Sequence, residues 1–249
     1  MLELDLRDEI GFATHPHYWF DAGGTRFGYC YIRKNGCTCF KKLICDTSPA
    51  GRPGTERGAE IQFMNAHHRI RSHAELERCA RMILVTRDPY ERLISAYLNK
   101  FVVRSGNRGI FNNFRRVMQE EPETASFRSF VTGYCREPAR RDVHVQPQRA
   151  HLLPIRYDAV FPLWELFEGM AALVGTEIAG QYFRKPENPT AYGSEGTSAV
   201  DVPAEVLREA WVAGEGLPSR AALADEELGA CVRESYDGDY RMLAALHAH

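Results

Sequence analysis

No stretch of this 249-residue chain approaches the ~18 consecutive apolar residues of a helical membrane span, so none is expected. The first residues, MLELDLRDEI, are acidic and lack an apolar core, so they do not read as a secretory signal. Charge of one sign is also missing. With 31 Lys and Arg against 33 Asp and Glu, the formal net charge is −2. No global field therefore draws the chain to nucleic acid or to a membrane surface, and any anion site must come from local clustering. There is no internal repeat, no low-complexity tract and no linker that splits the chain. The G-x-x-x-x-G-K-[ST] string of Walker-type nucleotide loops is absent as well.

What is present describes an ordinary globular protein with a sizeable core. Apolar residues make up 44% and charged residues 26% of the chain, and one domain over residues 1–249 is expected. Seven cysteines stand at 30, 37, 39, 45, 79, 135 and 231, an odd count. A chain of this length needs no disulfide staples, so the thiols are expected reduced and the protein soluble and cytoplasmic. The C-x₆-C-x-C-x₅-C spacing at 30–45 is not that of a structural zinc site, and no metal is expected. The thiols of Cys37 and Cys39, beside Lys34 and a helix start, are expected to oxidise more readily than the others. His15 and His17, in HPHYWF, read as surface or turn histidines, because no third ligand accompanies them.

Residues 27–44, FGYCYIRKNGCTCFKKLI, organise the rest. Residues 27–33 are aromatic and β-branched and predict a strand. Lys34-Asn35-Gly36 breaks it, since Asn-Gly takes positive φ readily. From Thr38 the apolar spacing Phe40, Leu43, Ile44 predicts a helix, with Thr38 or a neighbour as its N-cap. A strand, a glycine loop and a helix start point backbone N–H groups at an anion, and Lys34 adds a full charge. A basic turn with no ligand is the alternative reading of this stretch alone.

Residues 46–60 read as loop, residues 61–64 as a short strand or helix start, and residues 74–80 as a helix. The second element is RMILVTRDPYERLISAYLNKF, at 81–101. Residues 82–86 predict a strand buried on both faces. Asp88 and then Pro89 mark a helix start. Leu93, Ile94, Tyr97, Leu98 and Phe101 form its apolar stripe, with Ser95 off that stripe near Arg92. Two strands, each running into a basic loop and a helix, predict an α/β fold with ligands at the carboxyl ends of a parallel sheet. Residues 204–212 and 226–236 read as helices packing under that sheet, and residues 193–198 as a mobile loop.

Together the two elements resemble the PAPS-dependent sulfotransferases of carbohydrate type. RKNGCTCFKK matches the PKxGCTxWK-like loop of that family at Lys34, Gly36, Cys37, Thr38 and Lys41. RDPYERLIS matches its RDPxxRxxS string at Arg87 and Ser95, with Pro89 and Arg92 between. HVQPQRAHLLPIRYDAVFPLWE (144–165) is similar to its HWxPQ stretch and the Tyr-Asp strand that follows, with Val145 in place of the tryptophan and Glu165 one residue late. PENPTAY (186–192) resembles the loop that closes over the nucleotide, and ESYDGDYRML (234–243) the C-terminal Tyr…Asp-aromatic helix.

The resemblance implies a P-loop-like three-layer fold with a central, mainly parallel sheet, and residues 27–101 as the cofactor-binding core. It implies 3′-phosphoadenosine 5′-phosphosulfate (PAPS) as donor and 3′-phosphoadenosine 5′-phosphate as product. Arg33, Lys34, Asn35, Gly36, Cys37, Thr38 and Cys39 would hold the 5′-phosphosulfate end, and Arg87 and Ser95 the 3′-phosphate. Lys34 would stabilise the leaving oxygen. His67, His68 and His144 are the candidates for the base, with His67 preferred to His68. The acceptor would be a hydroxyl of a carbohydrate, glycolipid or other small molecule. Arg104, Arg108, Arg115, Arg116, Arg136, Arg140 and Arg141 could face an anionic glycan or simply be solvated. The other readings are a nucleotide-dependent phosphotransferase and a non-catalytic nucleotide-binding module. Whether two copies form a homodimer is left open.

Overall fold

The computed structural model describes residues 11–12, 14–184 and 198–246. The nucleotide-closing loop expected at 186–192 and residues 193–197 lie outside them. The chain forms two compact units, each made of two segments: Met1–Thr86 with Ala150–Asn188, and Arg87–Arg149 with Pro189–His249.

The first unit is built on a four-stranded sheet in the order β1-β2-β3-β4, namely His17–Ala22, Thr25–Cys30, Arg81–Thr86 and Ala159–Pro162. β2–β3 and β3–β4 pair in parallel, whereas β1 and β2 form an antiparallel hairpin. The sheet is thus mixed, with two of its three pairings parallel, as expected of an α/β fold. The hairpin turns on Gly23 and Gly24, at φ 58° and 76°, the double positive φ that two-residue hairpins demand. β2 is followed by α1 (Cys37–Thr47), α2 (Ala59–His67) and the single turn α3 (His73–Leu76). The stretch at 61–64 is therefore helical. One face of the sheet packs Phe20, Tyr29 and Val85 with Phe40, Leu43 and Ile44 of α1. That core also takes in Leu166 and Met170 of α7 (Leu166–Val174), and Ala179 and Tyr182 of α8 (Thr176–Tyr182). Phe40 stacks on Tyr29 with ring centroids 3.7 Å apart.

The second unit is helical: α4 (Pro89–Tyr97), α5 (Arg108–Met118), α6 (Phe127–Thr132), α9 (Ala204–Val212), α10 (Glu226–Ser235) and α11 (Asp237–Leu246). Asp88 caps α4 as expected, its carboxylate accepting from the Glu91 N–H at 3.0 Å, with Pro89 at the first helical position. The stripe Leu93, Ile94, Tyr97, Leu98 and Phe101 is fully buried, and Phe101 packs on Phe111, Phe114 and Phe130. α9 and α10 join this aromatic core, with α10 against α4 and α6. The partners that the structure shows for these two helices, expected under the sheet, are the helices of their own unit.

His17 corrects the reading of surface histidines. It opens β1 with no exposed surface. Its Nδ1 bonds the His15 carbonyl at 3.0 Å, and its Nε2 pairs with the Tyr157 hydroxyl at 2.8 Å. Burial drives its pKa down to about 4. The sign follows from linkage. The unfolded chain takes up this proton near pH 6.5, whereas the fold resists it down to about 4. The stability it contributes is complete above pH 6.5 and is lost as pH falls toward 4, amounting to about 3 kcal/mol across the window. In urea titrations between pH 7 and 4.5, unfolding free energy should fall with pH, and His17→Phe should remove a large part of that slope.

Candidate active site

In the first unit the site begins where β2 ends. Residues 31–36 turn at Lys34 and Gly36, both left-handed with φ 72° and 73°. A lysine in that region is uncommon and costs about 1 kcal/mol or more, so the surrounding fold holds it there. Asn35 supplies the hold. Its side chain is buried and donates from Nδ2 to the carbonyl of Val85, near the end of β3, at 2.8 Å. Its N–H donates to Ile32 O at 3.3 Å. Gly36 then stands at the N-cap of α1 with no side-chain cap bond, two residues before Thr38, where the cap was expected at Thr38 or a neighbour. A Cβ on Gly36 would come within 2.9 Å of Leu166 Cδ2 and 3.1 Å of Leu163 Cδ1.

The first turn of α1 sorts the predicted phosphate contacts. The N–H groups of Gly36, Cys37 and Thr38 have no acceptor within the helix by α-helical geometry. The Cys39 N–H is spent on Gly36 O at 3.1 Å, and the Cys39 side chain lies in the core. Lys34, Cys37 and Thr38 are each part-exposed at the loop and helix start. Arg33 lies with its guanidinium 5.7 Å over the Tyr31 ring. Lys41 pairs with Glu60 at 2.7 Å, which joins α1 to α2 and directs its charge away from the loop. This cradle of N–H groups, one ammonium and a helix N-terminus fits a phosphate or sulfate group.

In the second unit the site is the start of α4. Arg87 precedes the cap, and its guanidinium stands 3.9 Å from Glu91, one turn on. Glu91 is shared with Arg220, which pairs with the same carboxylate. Ser95 is half-buried on α4. Arg92, read from the sequence as near Ser95 and off the core, is almost fully buried and donates to Gln146 O at 2.7 Å. The HVQPQ stretch around that carbonyl is held at three further points. Tyr236 Oη donates to Val145 O at 2.6 Å. The Asp239 carboxylate, with no exposed surface, accepts from the N–H groups of Gln148 and Arg149 at 2.7 and 2.9 Å. Gln148, equally buried, grips the main chain of Arg87 on both sides.

Sequence comparison then places the chain. Residues 17–172 match the profile of the sulfotransferase family. This chain belongs to the sulfotransferase family. Carbohydrate sulfotransferase 11 of Rattus norvegicus is 33% identical over 88 residues, 29% of this chain and 23% of the relative. The protein of the same name from Mus musculus matches to the same extent. That from Danio rerio is 30% identical over 91 residues, 30% of this chain and 24% of the relative. The chain thus spans about a quarter of the length of these curated relatives. No solved structure matches.

The histidines of the chain differ sharply in setting. His68 is buried, with Nδ1 bonded to the Trp19 carbonyl at 3.0 Å and Nε2 to the Ser48 hydroxyl at 2.7 Å. A carbonyl only accepts, so Nδ1 carries the proton and Nε2 receives the Ser48 O–H. Burial lowers its pKa, and the ring serves packing. His67, at the end of α2, is exposed, its ring tilted 4.8 Å from Phe63. His144 belongs to the second unit, mostly buried, with Nδ1 against the Asp142 carboxylate. Of the arginines considered for an acceptor, Arg104 pairs with Glu205, Arg115 with Glu121, and Arg140 with Glu137. Arg141 bonds the Tyr134 carbonyl. Glu165 is exposed and accepts from Trp164 Nε1 at 3.1 Å.

Among the cysteines, burial pushes the Cys45 thiol up to about 11 and the Cys30 thiol well above its usual range. Among the described residues, no group of three or more His, Cys, Asp or Glu side chains comes together as a metal site.

Gly36→Ala tests the cradle directly. The added methyl meets both a positive φ and two leucine side chains, so the fold should lose about 1–3 kcal/mol. A thermal melt against wild type reads that loss, and an unchanged melting temperature would show that the loop does not need the glycine.

Proposed function

We propose that this chain is a PAPS-dependent sulfotransferase that moves a sulfuryl group to a hydroxyl of a carbohydrate or glycoconjugate. The observation that carries the reading is the loop at the end of β2. Asn35 fixes it and Gly36 opens it, so that Lys34 and the first turn of α1 offer an ammonium and backbone N–H groups to one anion. Family membership supplies the chemistry of that anion. The carbohydrate acceptor rests on the names of the relatives.

When bound, PAPS supplies an activated sulfuryl group on a phosphate leaving group. The residues of the chain then have separable tasks. The N–H groups of Gly36, Cys37 and Thr38, with the Thr38 hydroxyl, bind the 5′-phosphate end. The ammonium of Lys34 balances negative charge that builds on the departing oxygen. Arg87 binds the 3′-phosphate as a two-pronged donor, and Ser95 adds a short one. His67, exposed and on the unit that carries the loop, takes the proton from the acceptor hydroxyl. His68 cannot do so while both its ring nitrogens are bonded within the fold. His144, oriented by Asp142, positions acceptor or donor.

We place the protein in the cytoplasm, from its odd cysteine count and the absence of disulfides among the described residues. Among those residues, no helix is long and apolar enough to cross a membrane.

Calorimetry with adenosine 3′,5′-bisphosphate and with ATP tests the donor assignment. The bisphosphate should bind at micromolar level or tighter without Mg²⁺, and Arg87→Ala should weaken it more than about tenfold, or ~1.4 kcal/mol. Tighter binding of ATP that requires Mg²⁺ would overturn the assignment in favour of phosphoryl transfer. With sulfate transfer followed by donor consumption, Lys34→Ala and His67→Ala should each cut kcat by about a hundredfold or more.

A further inference from the structure

Gln148 lies 61 residues from Arg87 in sequence, yet its amide closes a two-bond ring with the main chain of Arg87. The Arg87 N–H donates to Gln148 Oε1 at 3.0 Å, and Gln148 Nε2 donates to Arg87 O at 2.7 Å. Only a primary amide can do both, because it places an acceptor and a donor side by side. The pairing also fixes which end of the amide is oxygen. Gln148 has no exposed surface, so the ring is shielded from competing water.

The amide is itself held. Asp239, also without exposed surface, accepts the N–H of Gln148 at 2.7 Å and that of Arg149 at 2.9 Å. Tyr236, three residues before Asp239, bonds Val145 O at 2.6 Å. Arg92, on α4 five residues after Arg87, bonds Gln146 O at 2.7 Å. One short segment, 145–149, is thereby tied at Val145, Gln146, Gln148 and Arg149, and it passes that rigidity to one residue, Arg87.

We propose that Gln148, backed by Asp239, is a positioning residue for 3′-phosphate recognition: it sets the main chain of Arg87 so that the guanidinium points where that phosphate binds. This rests on the donor assignment proposed above. Gln148 touches no ligand in this scheme and acts through Arg87 alone. Its loss should therefore weaken only ligands that carry a 3′-phosphate.

The probes are adenosine 3′,5′-bisphosphate and adenosine 5′-monophosphate, titrated by calorimetry into the full chain. Gln148→Leu, of similar size but without either bond, should weaken the bisphosphate about tenfold and change the monophosphate less than about twofold. Gln148→Glu keeps the acceptor for the Arg87 N–H, loses the donor to Arg87 O and adds a negative charge beside the guanidinium, so it should weaken the bisphosphate at least as much as Gln148→Leu. The double variant with Arg87→Ala should be no weaker than Arg87→Ala alone, since the brace has nothing left to position. Equal losses for both ligands, or an unchanged ratio between them, in a Gln148→Leu or Gln148→Glu protein with wild-type circular dichroism would overturn the positioning role. Wild-type protein that fails to bind the bisphosphate, or that loses nothing on Arg87→Ala, would overturn the donor assignment and this role with it.

Discussion

The hydrogen bond from the buried Asn35 amide to the carbonyl of Val85 sets the first half of the site. The loop after β2 has almost no other reason to sit where it does. It is too short to form a core of its own, and it carries a lysine in a left-handed conformation. A net hydrogen bond is worth about 1 kcal/mol, but leaving a buried amide and a buried carbonyl unpaired costs about 1–3 kcal/mol. That asymmetry, more than the attraction, pins the loop to the end of β3. The parallel pairing of β2 with β3 does the rest, because it brings both carboxyl ends to one edge of the sheet.

The same device recurs two residues further along the chain. Val85 is gripped through its carbonyl by the amide of Asn35, and Arg87 through both its main-chain groups by the amide of Gln148. Each unit fastens its own side of the strand-to-helix junction. Between Thr86, where β3 ends, and Pro89, where α4 begins, the Asp88 carbonyl accepts a helix bond from the Arg92 N–H at 2.9 Å, and Gln148 holds the main chain of Arg87.

Local features were legible in the sequence where local physics decides them. The apolar run at 82–86, the Asp88-Pro89 start of α4 and its buried stripe all follow from periodicity and capping. The loop was legible from Asn-Gly and the change of apolar spacing at Thr38, though the cap fell to Gly36, whose backbone reaches without a side chain. What was not legible depends on partners far away. β1 lacks strict alternation, and the buried His17 meets a partner, Tyr157, that lies 140 residues on. The HVQPQ and ESYDGDY stretches were visible as a likeness, but nothing in them shows that Gln148 meets Arg87 or that Asp239 meets Gln148. The burial of Arg92 was not legible for the same cause. Helical spacing puts it beside Ser95, and only the carbonyl of Gln146 explains why an arginine can be buried there.

Neutrality of the two braces matters for a site that must receive a polyanion. A carboxylate in the place of Gln148 could hold the Arg87 N–H, yet it would offset the charge of the guanidinium, and in the place of Asn35 it could not donate to the Val85 carbonyl at all. An amine would leave a carbonyl served and an N–H unserved, and would itself need a counter-charge once buried. The Gln148 amide meets both main-chain groups of Arg87 and the Asn35 amide the Val85 carbonyl, and neither carries a net charge. The carboxylates that do occur are kept out of the way. Asp239 is one step removed, behind Gln148, and its charge is met by two N–H groups. Glu91, which faces Arg87 at 3.9 Å, is shared with Arg220, so its charge is already met when an anion competes for the Arg87 guanidinium. Rigidity is thus supplied by uncharged groups, which adds no negative charge beside Lys34 or Arg87.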